Sequence, residues 1–238
     1  MRGTLATLLA AGCLLTGCGG ATSTPEAPAA ATVAPARPVV PQVGPFRRTA
    51  RGEFRARVLP VTAERLGSSH RAGCPVAVSD LRLVQVGHWG FDGLPRRGEL
   101  VVHRTHAQAV VEVFRRLHEA RFPVERMRTV EQYGADDDRS MAANNTSAYN
   151  CRRTTGGTSW SEHAYGTALD INPVQNPYVR GTTVEPEAGR AYLDRTRVRA
   201  GMVVGGDVVV RAFAGIGWEW GGDFRTLKDY QHFSASGR

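Results

Sequence analysis

An α+β fold, with a small antiparallel sheet and flanking helices, follows from three features of the 238-residue sequence. Short apolar or alternating runs at residues 81–86, 100–103, 167–171 and 208–213 read as strands. A single stretch has a clear helical period, with Val110, Val113, Phe114 and Leu117 at i, i+3, i+4 and i+7. These elements do not alternate as strand, helix, strand, which argues against a parallel doubly wound sheet.

Before those elements comes a segment that sets the compartment. Arg2 is a minimal basic start, residues 5–15 form a short apolar run, and Leu15-Thr16-Gly17-Cys18 follows. So short a run reads as an export signal rather than a membrane-spanning helix. The Leu-x-Gly-Cys ending resembles a bacterial lipobox, which makes residues 1–17 a lipoprotein signal peptide and Cys18 the lipidated residue. Cys13 also follows a glycine, but Ala10 stands where a lipobox prefers leucine. Residues 18–45 read as a disordered tether, since six of the 13 prolines fall there among alanine and threonine. Residues 46–238 remain for one domain. The expectation is an exported bacterial lipoprotein, anchored in the membrane and facing the cell wall.

Composition narrows the class further. Hydrophobic residues make up 42% and charged residues 22%, so wholesale disorder is excluded. The formal charge of +8 is carried by arginine, with Lys228 the one lysine, and favours anionic surroundings. Export argues against nucleic acid as the partner. Cys74 and Cys151 lie outside the leader, and an isolated pair in an exported chain reads as a disulfide.

Within the domain, the strands at 81–86 and 100–103 are joined by a loop over 87–98 with a Phe91-Asp92-Gly93 turn. Thr105 is placed to cap the following helix, and Pro123 lies beyond its end. Residues 133–159 are polar, rich in Gly, Asn and Ser, and without period, as a functional irregular segment would be.

Five of the seven histidines, at 70, 88, 103, 106 and 118, have no chemistry around them and read as surface or structural residues. His163 and His232 differ. In Ser161-Glu-His163-Ala-Tyr-Gly166-Thr-Ala168-Leu-Asp170 the small residues let the backbone fold closely between a histidine and a strand carboxylate. The second group is Gly217-Trp218-Glu-Trp220-Gly-Gly-Asp223, followed by Lys228-Asp229-Tyr-Gln-His232-Phe233. Two histidines and one carboxylate would make a three-ligand zinc site with an open fourth position, the pattern of catalytic zinc.

Together, Ser-x-His-x-x-Gly-x-Ala-x-Asp and the later Asp-x-x-His-Phe resemble the signature of the LAS-type zinc peptidases. More narrowly, the chain is similar to the D-alanyl-D-alanine carboxypeptidase (VanY-like) family. Residues 91–93, 140–147, 150–152, 170–173, 176–178 and 217–222 add to the likeness, which covers about residues 80–234. The resemblance implies a single LAS-type peptidase domain with one Zn²⁺ per chain held by His163, Asp170 and His232. Asp229 is implied as the acid/base, with Glu162 and Asp223 as alternatives. Arg152 is implied as the catalytic cation that holds substrate oxygen, with Arg139 and Arg153 as alternatives. Ser161, Ser140 and Trp220 are candidate substrate-binding residues, and Trp218 is a further groove candidate. The implied substrate is a peptidoglycan stem peptide cut at a D-amino-acid bond. An L,D-endopeptidase and a non-catalytic zinc-containing wall-binding module on the same fold are the alternatives.

Overall fold

The computed structural model describes residues 52–237. The signal, Cys18 and the tether at 18–45 lie outside the described residues. Mixed α and β structure is present, as small, mostly antiparallel sheets with few helices.

Strand β1 (Ala56–Pro60) leads through a one-turn helix, α1 (Ala63–Leu66), to β2 (Leu81–Trp89) and β3 (Pro95–His103). The three form an antiparallel sheet in the order β1-β2-β3. Period-two alternation in β2 sends Val84 and Val86 to the larger core, and Leu81 and Leu83 to a smaller one with Val101, Tyr149 and Cys151. The hairpin departs from the sequence expectation. Its strands run to Trp89 and from Pro95, so the loop shrinks to 90–94, and His88 is a buried strand residue rather than a loop one.

Helix α2 (Ala107–Glu119) buries Val110, Val113, Phe114 and Leu117 against that sheet, as their spacing requires. Its first turn is not capped by Thr105. His106 is the N-cap residue, and the Thr105 hydroxyl instead lies 2.7 Å from His103 Nδ1. Next come β4 (Arg126–Met127), helix α3 (Asp137–Ala142) and β5 (Asn145–Thr146), with β4 and β5 paired in parallel. The irregular stretch expected at 133–159 therefore contains a helix, N-capped by Asp136 accepting from the Arg139 amide at 3.0 Å.

The remaining strands form two further three-stranded sheets. They are β6 (Ala168–Asp170), β7 (Tyr178–Arg180), β8 (Thr183–Glu185), β9 (Glu219–Trp220), β10 (Lys228–Asp229) and β11 (His232–Ser234). One sheet has the order β6-β11-β9 and the other β10-β7-β8. Between β8 and β9 lies helix α4 (Val208–Ala214), where residues 208–213 were expected to be a strand. Asp207 caps it by accepting from the Val210 amide at 2.9 Å. Val209, Ala212 and Phe213, at i, i+3 and i+4, fill the core, and this packing overrides the strand preference of three consecutive valines. Phe213 stacks on Phe233 with ring centroids 4.0 Å apart. Burial of an aromatic side chain stabilises by about 1.5–3 kcal/mol, so Phe233 anchors the strand that carries His232.

Cys74 and Cys151 are joined in a disulfide. The bond ties the segment between α1 and β2 to the residue before Arg152.

Candidate metal centre

Three elements bring His163, Asp170 and His232 together. His163 lies in the 3-10 turn Glu162–Tyr165, whose N-cap Ser161 accepts from the His163 amide at 3.3 Å. The turn ends at Gly166, with φ +70, where a Cβ would sit 2.6 Å from the backbone nitrogen of His103. Only glycine allows this turn to press against β3. Asp170 ends β6 and stands opposite His232 on β11 in the antiparallel register. All three side chains are buried.

The geometry is that of a chelate. His163 Nε2 lies 3.2 Å from Asp170 Oδ2 and 3.3 Å from His232 Nδ1, and His232 Nδ1 lies 3.2 Å from Asp170 Oδ1. Zinc bonds of about 2.0–2.1 Å in a tetrahedron place ligand atoms roughly 3.3 Å apart, so the donor set fits the ion. A carbonyl outside the triangle fixes one tautomer. His163 Nδ1 donates to the Ala148 carbonyl at 2.6 Å, which turns the Nε2 lone pair towards the other two ligands. The Ala148 carbonyl is held there because Ser147 pairs with Asp170 and the Asn150 amide donates to the His163 carbonyl. Burial opposes the charge on Asp170, but the imidazoles of His163 and His232 hold its carboxyl well below the usual carboxylate range.

Asp229 stands apart from the triangle in the same cavity, whose volume is about 470 Å³. It closes β10 and lies across from Tyr178. Gly221 packs on it so tightly that a Cβ there would come 2.5 Å from the Asp229 carbonyl oxygen. Asp229 Oδ1 is buried and has no hydrogen-bond partner. Burial pushes this carboxyl up to about 6, with His232 opposing the shift and Asp170 adding to it. Two residues, Tyr230 and Gln231, separate it from His232. The Tyr230 amide donates to the Pro177 carbonyl at 3.3 Å and the Gln231 carbonyl accepts from the Ile171 amide at 3.0 Å.

Of the three arginines considered, Arg152 alone lines this cavity. It pairs with Asp137 at 2.8 Å, while its buried Nε has no partner. Arg139 and Arg153 are exposed, and Arg153 stacks on the Trp160 ring at 3.7 Å. Ser161 and Glu162 also line the cavity, but the Glu162 carboxylate accepts from the Thr167 hydroxyl at 2.9 Å. Asp223 lies outside it.

Two expectations for substrate contact are corrected by packing. Ser140 is on the buried face of α3, where its hydroxyl accepts from Asn145 Nδ2 at 3.0 Å, and it does not line the cavity. Trp220 belongs to the core with Phe233 and donates from Nε1 to the Tyr230 carbonyl, so it supports the linker instead of walling the groove. Trp218 is core as well. The cavity also uses residues that the sequence reading passed over, among them Tyr178, Arg180, Glu185, Trp160 and Gln231. Tyr178 and Gln231 lay within the motifs already named, while Arg180 and Glu185 flank the Gly181-Thr182 turn and Trp160 carried no signal.

Comparison with known families finds a likeness in the carboxy-terminal part. Residues 154–235 match the D-alanyl-D-alanine carboxypeptidase family. The matched stretch includes His163, Asp170, Asp229 and His232, and the resemblance read from the motifs holds across it. The matched segment leaves β1–β3 and α2 outside its bounds. No curated protein and no solved structure matches the chain.

Proposed function

We propose that the chain is an exported zinc metallopeptidase that hydrolyses peptidoglycan stem peptides at a D-amino-acid bond, acting as a D-alanyl-D-alanine carboxypeptidase. One observation carries the reading. Three ligand atoms at chelating separation share a cavity with Asp229, whose buried, unpartnered Oδ1 takes no part in the triangle. The family match supports a peptidase, and the lipobox-like leader supports a site of action outside the membrane.

His163, Asp170 and His232 would hold a zinc ion, which when bound would supply Lewis-acid polarisation of the scissile carbonyl and a more acidic water. Asp229 accepts a proton from the attacking water and returns it to the departing amine. Its raised pKa suits both halves of that exchange. Arg152 offers N–H donors to substrate oxygen as negative charge develops, and Asp137 holds the guanidinium in place. Ser161 keeps the turn that carries His163 in register.

Mass spectrometry of muropeptides incubated with the zinc-loaded protein tests this reading, with Asp229→Ala as control. Loss of one alanine from pentapeptide stems, absent in the variant, supports the carboxypeptidase. Cleavage within the stem moves the activity to an L,D-endopeptidase. Intact muropeptides with zinc demonstrably bound would replace catalysis with wall binding.

A further inference from the structure

The β10-β7-β8 sheet carries a row of cavity residues away from the acid/base. Asp229 stands across from Tyr178, and Tyr178 across from Glu185. All three line the cavity, as does Arg180, two residues along β7 on the same face. Arg180 and Glu185 are therefore diagonal neighbours, roughly 7–8 Å apart in such a ladder and within reach of one small group. Neither has an ion pair or side-chain hydrogen bond among the described residues. Elsewhere the chain pairs such charges readily, Arg190 with Glu187 at 2.7 Å and Arg152 with Asp137 at 2.8 Å. Two opposite charges left open side by side on a cavity wall match a ligand that carries both charges in the reverse sense.

We propose that Arg180 and Glu185 form a subsite for an α-amino-acid centre on a substrate side chain, an ammonium and a carboxylate on one carbon. The carboxylate meets the Arg180 guanidinium fork and the ammonium meets Glu185. Within a stem peptide this chemistry is that of diaminopimelate, whereas lysine offers an ammonium alone. The inference rests on the stem-peptide reading above and adds which diamino acid the cavity selects. Asp229, Tyr178 and Glu185 share one sheet face, so a peptide lying along it places its side chain at the hairpin while its scissile bond lies by Asp229.

Two synthetic pentapeptides, identical except for diaminopimelate or lysine at the third position, provide the test. Their binding to the zinc-loaded, full-length Asp229→Ala protein is measured by calorimetry. The diaminopimelate peptide binds about tenfold more tightly, the factor expected for one additional charged hydrogen-bonded contact. Arg180→Gln reduces that ratio to within twofold, and Glu185→Gln weakens both peptides. Equal affinities in the parent, no measurable binding, or a ratio untouched by Arg180→Gln would overturn the subsite. So would an equal loss for both peptides in Arg180→Gln, which would mean that Arg180 reads a group common to both. Turnover by the wild type separates this inference from the one it rests on. Equal kcat/KM for the two peptides with equal binding keeps the peptidase and discards the subsite. Selective binding without turnover keeps the subsite and discards the peptidase.

Discussion

Asp170 and His232 face each other across an antiparallel strand pair, with His232 Nδ1 3.2 Å from Asp170 Oδ1. Two of the three candidate ligands are thus set by one register, and His163 completes the triangle from a turn held by glycine and a serine cap. Asp170→Asn removes the only anionic donor of the set. Zinc affinity is expected to fall by more than the roughly 10–100-fold that loss of an outer partner costs. Metal content after dialysis, with the circular dichroism spectrum retained, checks this.

Asp229→Asn keeps the shape of the side chain and removes its base. The expected result is a fall in kcat of roughly 10²–10⁴ with zinc content unchanged. A variant that lost its metal instead would place Asp229 among the ligands.

The pH dependence follows from the same group. Asp229 must be ionised to accept a proton, and burial pushes it up to about 6. Bound zinc would pull this value down, so activity is expected to fall along an acid limb at or below about 6, and this limb is absent from the residual rate of Asp229→Asn. Stability of the metal-free protein runs the other way. The folded pKa lies above the ordinary carboxyl value of about 3.9, so the folded state holds the proton more tightly. The contribution of Asp229 to stability is full below about pH 4 and is lost, by about 2–3 kcal/mol, as pH rises through about 6, whereas that of Asp170, whose carboxyl is held low, is lost as pH falls. Chemical denaturation of the metal-free wild type and of Asp229→Asn across this range measures the difference.

Gly166→Ala tests the turn beneath His163. The new methyl group would meet the His103 backbone nitrogen at 2.6 Å, at a φ of +70 that alanine rarely adopts. A loss of more than about 1 kcal/mol is expected, together with weaker zinc binding because His163 moves with the turn. Thermal denaturation and zinc titration report the two effects separately.

Replacing Cys74 and Cys151 with serine opens a crosslink that spans 77 residues. The chain-entropy model gives a loss of about 4.5 kcal/mol for a loop of this length. Because Cys151 precedes Arg152, kcat is expected to fall even at temperatures where the variant stays folded. A variant with full kcat would show that Arg152 is held in place without the crosslink, by partners such as Asp137.

The candidate metal centre was legible in the sequence to the extent that its residues are chemically unusual in their surroundings. His163, Asp170 and His232 stand out because small residues and a strand pattern frame them, and the structure brings them within bonding range of one ion. Helix α4 was misread because three valines in succession speak for a strand locally, while its cap and its buried face emerge only against α2 and Phe233. Ser140 and Trp220 were drawn to the site by the motifs around them. Their place in those motifs reflects support, since Ser140 holds Asn145 and Trp220 holds the Tyr230 carbonyl. Arg180 and Glu185 carry no signal as single residues. Their pairing across a hairpin is a property of register, which a linear pattern does not display.

Asp229 ends a strand of one sheet and His232 begins a strand of another, with Tyr230 and Gln231 spanning the gap. The Asp-x-x-His spacing is thus a mechanical dimension, a spacer two residues long that sets how far Asp229 stands from the candidate ligand His232. Backbone hydrogen bonds clamp both spacer residues, so the dimension resists changes of side chain but not of length. Inserting a single glycine after Tyr230 would leave each sheet free to keep its own pairing while uncoupling the two, separating metal affinity from proton transfer in one molecule.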